Sequence, residues 1–362
     1  MRIEGVLRMR LSRTNIALVV ILLAQIILVA FLYLSDDDAE GTSLARGGSL
    51  VQNFDPEAYT SLILEDDSGQ QIELGLVDGA WVLPSADNYP AQSARIQELL
   101  NTIERIQANR LVTRTASSHR RLQVAEDAFY RKLILRKADG STTTLYVGSS
   151  GGGRTRHVRL EGEDAVYLTD EIAAGQLDPI ISSWVNTVYF TIAADSLRQI
   201  TIENANGITT LNREEGVWRV EGLAPNRVTD TVAVNPITNN LSNFRLTEPL
   251  GTEALPEYGL DAPLATVTIV AEVPDPNALT TDDETEGMIE GAPTETPTET
   301  PEPPTILQTT TLLIGASTDA GYYAKYSESP YYVIISTTAG NLFVNATPDG
   351  LATDQIFSVF GG

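Results

Sequence analysis

The sequence predicts an α+β chain: two tandem repeat units, each an antiparallel sheet built of hairpins with one main helix, standing after an N-terminal transmembrane helix. Three observations carry this. The phrase DGAWVLP at 78–84 returns as EGVWRVE at 215–221, placing Trp81 and Trp218 137 positions apart (218 − 81). Each phrase closes a run of short apolar segments broken by Gly-containing turns and is followed by a helical pattern, then by more hairpins. Residues 16–34, IALVVILLAQIILVAFLYL, contain Gln25 as their one polar member and no charge.

Residues 1–15 read as a cytoplasmic N-terminus and 16–34 as the membrane span, since a helix of that length rises about 28 Å, close to the hydrocarbon thickness. Arg2, Arg8, Arg10 and Arg13 precede it against a single Glu4, and Asp36, Asp37 and Asp38 follow it. That bias puts the bulk of the chain on the extracytoplasmic side of a cell membrane, crossed once. A cleaved signal peptide would show a shorter apolar core and an Ala-x-Ala-like site beside it, and neither is present. Residues 35–58 are acidic and aperiodic, a juxtamembrane tether.

Unit one (59–190) opens SLILEDDSGQQIELGLVDGAWVLP, a strand meander turning at Asp-Ser-Gly and Gly-Ala. Unit two (191–362) opens RQITIENANGITTLNREEGVWRVE with its turn at Asn206-Gly207. In AQSARIQELLNTIERIQAN, Ile96, Leu99, Leu100, Ile103 and Ile106 form one helical stripe. In DTVAVNPITNNLSNFRL, Pro236 predicts a helix starting near Asn235, because proline is tolerated in a first turn. Later hairpins turn at Asp139-Gly140 and Gly162-Glu163, and unit two matches them with ATVTIVAEV, TTTLLIGAS and YYAKYSESPYYVIIS. Gly148 and Gly315 are 167 apart (315 − 148), so the extra residues form an insertion, a disordered Pro/Thr/Glu-rich loop over 273–306 grown on a hairpin. The tryptophans Trp81, Trp184 and Trp218 read as core.

The chain has 362 residues, 42% hydrophobic, with formal net charge −24 and no cysteine. Two cores fit that length. The charge repels phosphates, which excludes nucleic acid as a partner. Absence of cysteine excludes disulfides, thiolate metal sites and cysteine nucleophiles.

At PEYGLDAPLATVTIV (256–270) an aromatic-Gly-Leu-x-x-Pro phrase leads into a Thr-Val-Thr strand, then LLIGAS, then GYYAKY. With the Trp after an acidic turn, the helix ending IQANRLV and the single N-terminal span, the chain resembles the bacterial domain-of-unknown-function family 4340 over roughly residues 60–350. The resemblance implies a membrane-anchored protein carrying the domain in tandem, in some cases encoded beside ABC-type export permeases and auxiliary proteins of the gliding-motility kind. It brings no activity, cofactor or catalytic residue. Unit one departs from the pattern: RLQVAEDAFYRKLIL lacks the Gly-Leu-x-x-Pro phrase.

Candidate sites are few. GSSGGGRTRH (148–157) is Gly-rich, but no Gly-Lys-Ser/Thr follows and the next element is a strand. Arg154, Arg156 and Arg159 are either the solvent face of that strand or a site for an anion or acidic glycan. His119 and His157 lack companions at metal or catalytic spacing and read as surface residues. The acid clusters at Asp36–Asp38, Asp66-Asp67 and Asp282–Glu284 lack calcium-loop spacing and read as solvated charge. Tyr322, Tyr323, Tyr326, Tyr331 and Tyr332 crowd one hairpin, either as sheet packing or as a binding face; alternation puts Tyr322 and Tyr326 on one side and Tyr323 on the other. No catalytic residue, cofactor or metal is assigned. The expected function is a non-enzymatic accessory or scaffold subunit of an envelope transport or motility complex, with a protein partner; the alternatives are a glycan- or anion-binding module and, third, an enzyme.

A reporter active only outside the cytoplasm, fused after Gly362, is expected to be active and to sediment with membranes. Its release into the soluble fraction would mean that residues 16–34 are cleaved or do not anchor.

Overall fold

The computed structural model describes residues 48–275 and 304–355. The expected cytoplasmic N-terminus (1–15), the span (16–34), most of the tether and most of the Pro/Thr/Glu tract lie outside the described residues. Among the described residues no helix is long and apolar enough to cross a membrane. The described residues are α+β, mostly antiparallel sheet with four α-helices.

The first half contributes β1 (Tyr59–Asp66), β2 (Gln71–Val77), β3 (Ala80–Leu83), β4 (Tyr89–Pro90), α1 (Ser93–Arg105), β5 (Leu111–Thr113), α2 (His119–Leu122), β6 (Val124–Ala125), β7 (Ala128–Phe129), β8 (Arg131–Lys137), β9 (Thr142–Gly152), β10 (Thr155–Leu160) and β11 (Val166–Thr169). Nine of these strands form one sheet in the order β4-β3-β2-β1-β8-β9-β10-β11-β5. Its core face is a register-matched row, Ile72–Leu64–Leu133–Leu145, because strand alternation sends every second residue to one side. Helix α1 lays its buried stripe (Ile96, Leu99, Leu100 and Ile103) into the same core. The sheet's other face is covered locally by a small second cluster of Leu122, Val124, Tyr146 and Val166.

The second half contributes β12 (Val188–Phe190), β13 (Leu197–Asn204), β14 (Gly207–Glu214), β15 (Val217–Val220), β16 (Arg227–Thr229), α3 (Thr231–Ser242), β17 (Phe244–Arg245), β18 (Glu248–Gly251), β19 (Ala265–Pro274), β20 (Thr305–Thr318), β21 (Gly321–Tyr326), β22 (Tyr332–Ile335), α4 (Thr337–Val344) and β23 (Ala352–Asp354). Eight strands form a sheet in the order β15-β14-β13-β19-β20-β21-β22-β18. A row Ile202–Val267–Leu312–Tyr326 crosses it.

Several expectations are corrected. Helix α3 starts at Thr231, not near Asn235, because the Asp230 carboxylate accepts from the N–H groups of Val232 and Ala233 and caps the helix before Pro236 is reached. Pro236 sits inside the helix on its exposed side, where its missing N–H leaves only the carbonyl of solvent-exposed Val232 unpaired. The second sheet carries two helices rather than one, since Ser336 caps α4 through Ala339 N–H. The hairpin β19–β20 is longer than expected: Val273 and Pro274 pair with Ile306 and Thr305, so these four positions of the proposed loop are strand.

Trp81 is 7% exposed and Trp184 fully buried, its indole N–H donating to Asp178 O at 2.7 Å. Trp218 is only half-buried, contrary to expectation. Strand β3, which carries Trp81, is covered by β4, whereas β15 is the edge of its sheet and Trp218 lies opposite the polar Arg213.

Replacing Trp81 by Ala is expected to cost about 3–5 kcal/mol through lost burial and a cavity. Trp218→Ala, which removes a half-buried side chain at an edge, is expected to cost about 1–2 kcal/mol. Chemical denaturation of the two variants checks this; equal losses would mean that edge position does not set the difference.

Candidate functional site

Each sheet holds one cation in the same local setting. In the first, α2 ends at Gln123, whose φ of 56° reverses the chain. The preceding carbonyl, Leu122 O, packs on strand β9 where a Cβ at Gly148 would stand 2.1 Å from it, so only glycine fits. Two residues on, Val124 O accepts from Arg159 Nε at 2.6 Å. The same guanidinium donates to Leu160 O at 3.2 Å and Glu163 O at 3.0 Å and lies 4.7 Å over the Tyr146 ring. Tyr146 is the cross-strand partner of Arg159.

In the second sheet a 3-10 turn, Pro256–Tyr258, ends at Gly259 with φ 62°. Tyr258 O packs on β20 where a Cβ at Gly315 would stand 2.0 Å away. Here the cation is Lys325. Its ammonium donates to Tyr326 O at 3.3 Å and to Ser329 O, the residues one and four positions on, as in Arg159. Its cross-strand partners are Leu313 on β20 and Tyr332 on β22. Lys325 is half-buried, and burial holds its ammonium below the usual lysine range. Beside it opens a hollow of about 250 Å³ walled by Leu255, Leu260, Leu313 and Tyr332. The phrase Gly-Leu-x-x-Pro that carries the family resemblance builds one side of this hollow through Leu260 and Asp261.

The expected site residues separate. Arg159, expected on a solvent face, is 4% exposed and spent on carbonyls, because α2, β6 and β7 cover that side of the sheet. Arg156 shares the Tyr130 ring with Arg131, at 5.5 and 4.3 Å, and Arg154 is exposed in the turn after β9. The histidines, expected at the surface, are buried: His119 Nε2 meets Asp164 O at 3.0 Å and His157 Nδ1 meets Ser149 O at 2.9 Å.

The five tyrosines do not share one face. Tyr322 donates to Asn341 Oδ1 of α4 at 2.7 Å. Tyr323 and Tyr332 flank Tyr258 at 4.6 and 5.5 Å. Tyr326 stacks on Phe190 at 4.1 Å in the core. Tyr331 reaches the first sheet: its ring meets Tyr89 edge-on at 4.8 Å and its hydroxyl donates to Asn88 O at 3.3 Å. Tyr189 ties the same junction, donating to Tyr331 O at 2.6 Å and accepting from Tyr326 N–H at 3.0 Å. Tyr89 is pushed up to about 12 by burial and by the neighbouring Tyr189 and Tyr331, so it stays neutral.

A second bolt joins the sheets. Asp87 and Asn88 both take left-handed φ values, 51° and 63°, which turns the Asp87 carboxylate onto the second sheet. There Asp87 Oδ2 accepts from Thr252 N–H and Thr252 Oγ1, each at 2.7 Å. Sequence reasoning missed both Asp87 and Lys325. The one available signal was that Lys325 is the only Lys or Arg in residues 246–362.

Residues 81–263 match a family model described as a domain of unknown function (DUF4340). The chain belongs to that family. The DUF4340 match begins at Trp81, takes in the helices α1, α2 and α3, and ends at Pro263, just past the turn that walls the Lys325 hollow. Comparisons with curated proteins and with solved structures returned no match.

The hydrogen bonds from Thr252 hold the Asp87 carboxyl below its ordinary value of 3.8. A depressed folded value stabilises the folded chain above the unfolded value and loses that contribution as pH falls through the folded one. The gap in melting temperature between the wild type and Asp87→Ala is therefore expected to hold above the ordinary carboxylate range and to close as the pH falls through and below it. A gap that stays constant as the carboxylate is protonated would mean that the Asp87 charge does not fasten the junction.

Proposed function

We propose that the chain is two tandem copies of one unit and serves as a non-enzymatic, membrane-anchored scaffold on the extracytoplasmic side of the cell envelope, binding a protein partner in a transport or motility-type complex. The observation that carries the reading is the shared plan of the two sheets. Both run Trp-strand, hairpin, hairpin, then the strand reached after the helix, and both place a glycine-docked turn and a carbonyl-bound cation at the same points. The chemistry of the polar groups also supports it. The two histidines, Arg159 and the junction tyrosines are spent on backbone carbonyls and on one another, as structural groups are. A sheet pair fastened through Asp87–Thr252 and Tyr89–Tyr331 suits a spacer that holds a partner at a set distance from the membrane. The acidic charge adds attraction for a basic partner surface.

Crosslinking the tagged full-length chain in membranes, followed by purification, tests the reading. Recovery of an export permease or its accessory subunits is the expected result. Recovery of envelope glycan with no protein partner would sink the scaffold reading in favour of a glycan-binding module.

A further inference from the structure

The hollow at Lys325 differs from its counterpart in the first sheet in a way that exposes a cation. In the first sheet the position is filled. Arg159 spends its guanidinium on three carbonyls and is covered by the Tyr146 ring. In the second sheet the shorter lysine reaches only the carbonyls of Tyr326 and Ser329, and a leucine, Leu313, stands where the first sheet has Tyr146. Beside Lys325 and Leu313 lies an open hollow of about 250 Å³.

An ammonium carries three N–H donors. Two of those of Lys325 are spent on carbonyls, and the third has no hydrogen-bond partner among the described residues. No carboxylate of the described residues pairs with it. Neutral carbonyl dipoles offset part of the cost of burying a charge, and a counter-charge offsets more. The walls supply apolar surface through Leu255, Leu260 and Leu313 and an aromatic ring through Tyr332, whose face lies 5.3 Å from the ammonium. The hollow is below the size that takes drug-sized ligands.

We propose that this hollow is a binding site for a small carboxylate borne on an apolar body, with Lys325 pairing the carboxylate and Leu255, Leu260 and Leu313 covering the apolar part. In a chain of net charge −24 it is a local exception, since Lys325 is the only Lys or Arg in residues 246–362. Asp261, exposed on the rim, opposes an anion and limits the affinity.

The chain has only three lysines, Lys132, Lys137 and Lys325, so amine labelling reads the site against two internal references. The full-length protein is labelled with acetic anhydride in the presence of hexanoate or 1-hexanol, and each lysine is quantified by mass spectrometry. Hexanoate is expected to lower acetylation of Lys325 at least about fivefold relative to Lys132 and Lys137, and hexanol to leave it unchanged. In calorimetry, hexanoate heats are expected to vanish in Lys325→Arg, which fills the hollow as Arg159 does, and to strengthen in Asp261→Asn. Leu313→Tyr, which restores the covering ring of the first sheet, is expected to block binding likewise and serves where the arginine variant melts abnormally. Protection by hexanol equal to that by hexanoate, no protection by either, or unchanged hexanoate binding in a normally melting Lys325→Arg or Leu313→Tyr variant would each overturn the assignment.

Discussion

In both sheets the last carbonyl of a turn rests on a neighbouring strand at the point where a side chain would begin. A Cβ at Gly148 or Gly315 would come within 2.1 or 2.0 Å of Leu122 O or Tyr258 O, backbone against backbone, where nothing flexible can yield. That contact fixes how the turn lies across the sheet. The left-handed residue that follows, Gln123 or Gly259, then reverses the chain so that Val124 or Leu260 comes back over the same strands. From there the cation on the next strand is placed: Arg159 beneath the carbonyl of Val124, and Lys325 beside the Leu260 side chain. Turn and cation are therefore successive consequences of one steric constraint, met twice.

Much of this was legible because it is periodic. The stripe from Ile96 to Ile106 is buried throughout, and the hairpin turns fall where Gly and Asx residues marked them. What failed was decided by tertiary neighbours. Proline argued for a late start to α3, and a capping aspartate one turn earlier outweighed it. Similar phrases around Trp81 and Trp218 argued for equal burial, yet burial depends on whether another strand lies alongside, and β15 is an edge. Alternation on β10 was read as a solvent face because the covering layer, α2 with β6 and β7, is too short to carry a periodic signal. The Lys325 site was hidden by register. A constant offset of 167 sets Arg159 opposite Tyr326 (326 − 159), but Val147 pairs with Val158 while Ile314 pairs with Ala324, a one-residue difference between the two hairpins that moves the match to Lys325.

The junction between the sheets explains why Tyr89, Tyr189, Tyr326 and Tyr331 gather there. A buried phenylalanine could fill the same volume, but the chain leaving β21 and entering β22 exposes backbone groups that strand pairing does not satisfy. Tyr189 supplies both halves of the need, accepting from Tyr326 N–H and donating to Tyr331 O. Tyr89 and Tyr331 supply the donor alone, to Asn186 O and Asn88 O. A net gain of about 1 kcal/mol per hydrogen bond is modest, yet leaving a buried carbonyl unpaired costs more. Aromatic bodies with polar tips meet both demands at one interface.

Arg159 and Lys325 show how one framework can be closed or open with few changes. An arginine presents five donors in a rigid fork and is satisfied by several carbonyls at once, so its burial at 4% exposure is tolerable without a counter-ion. A lysine at the same point presents a compact charge that holds its water more strongly and shifts readily when water is removed. Burial lowers Lys325's proton affinity. Closing the second position would need only a longer cation or a larger cross-strand neighbour, and the first sheet has both. The second sheet instead keeps an under-compensated charge beside apolar walls, an arrangement that gains from a carboxylate what the first sheet obtains from its own backbone.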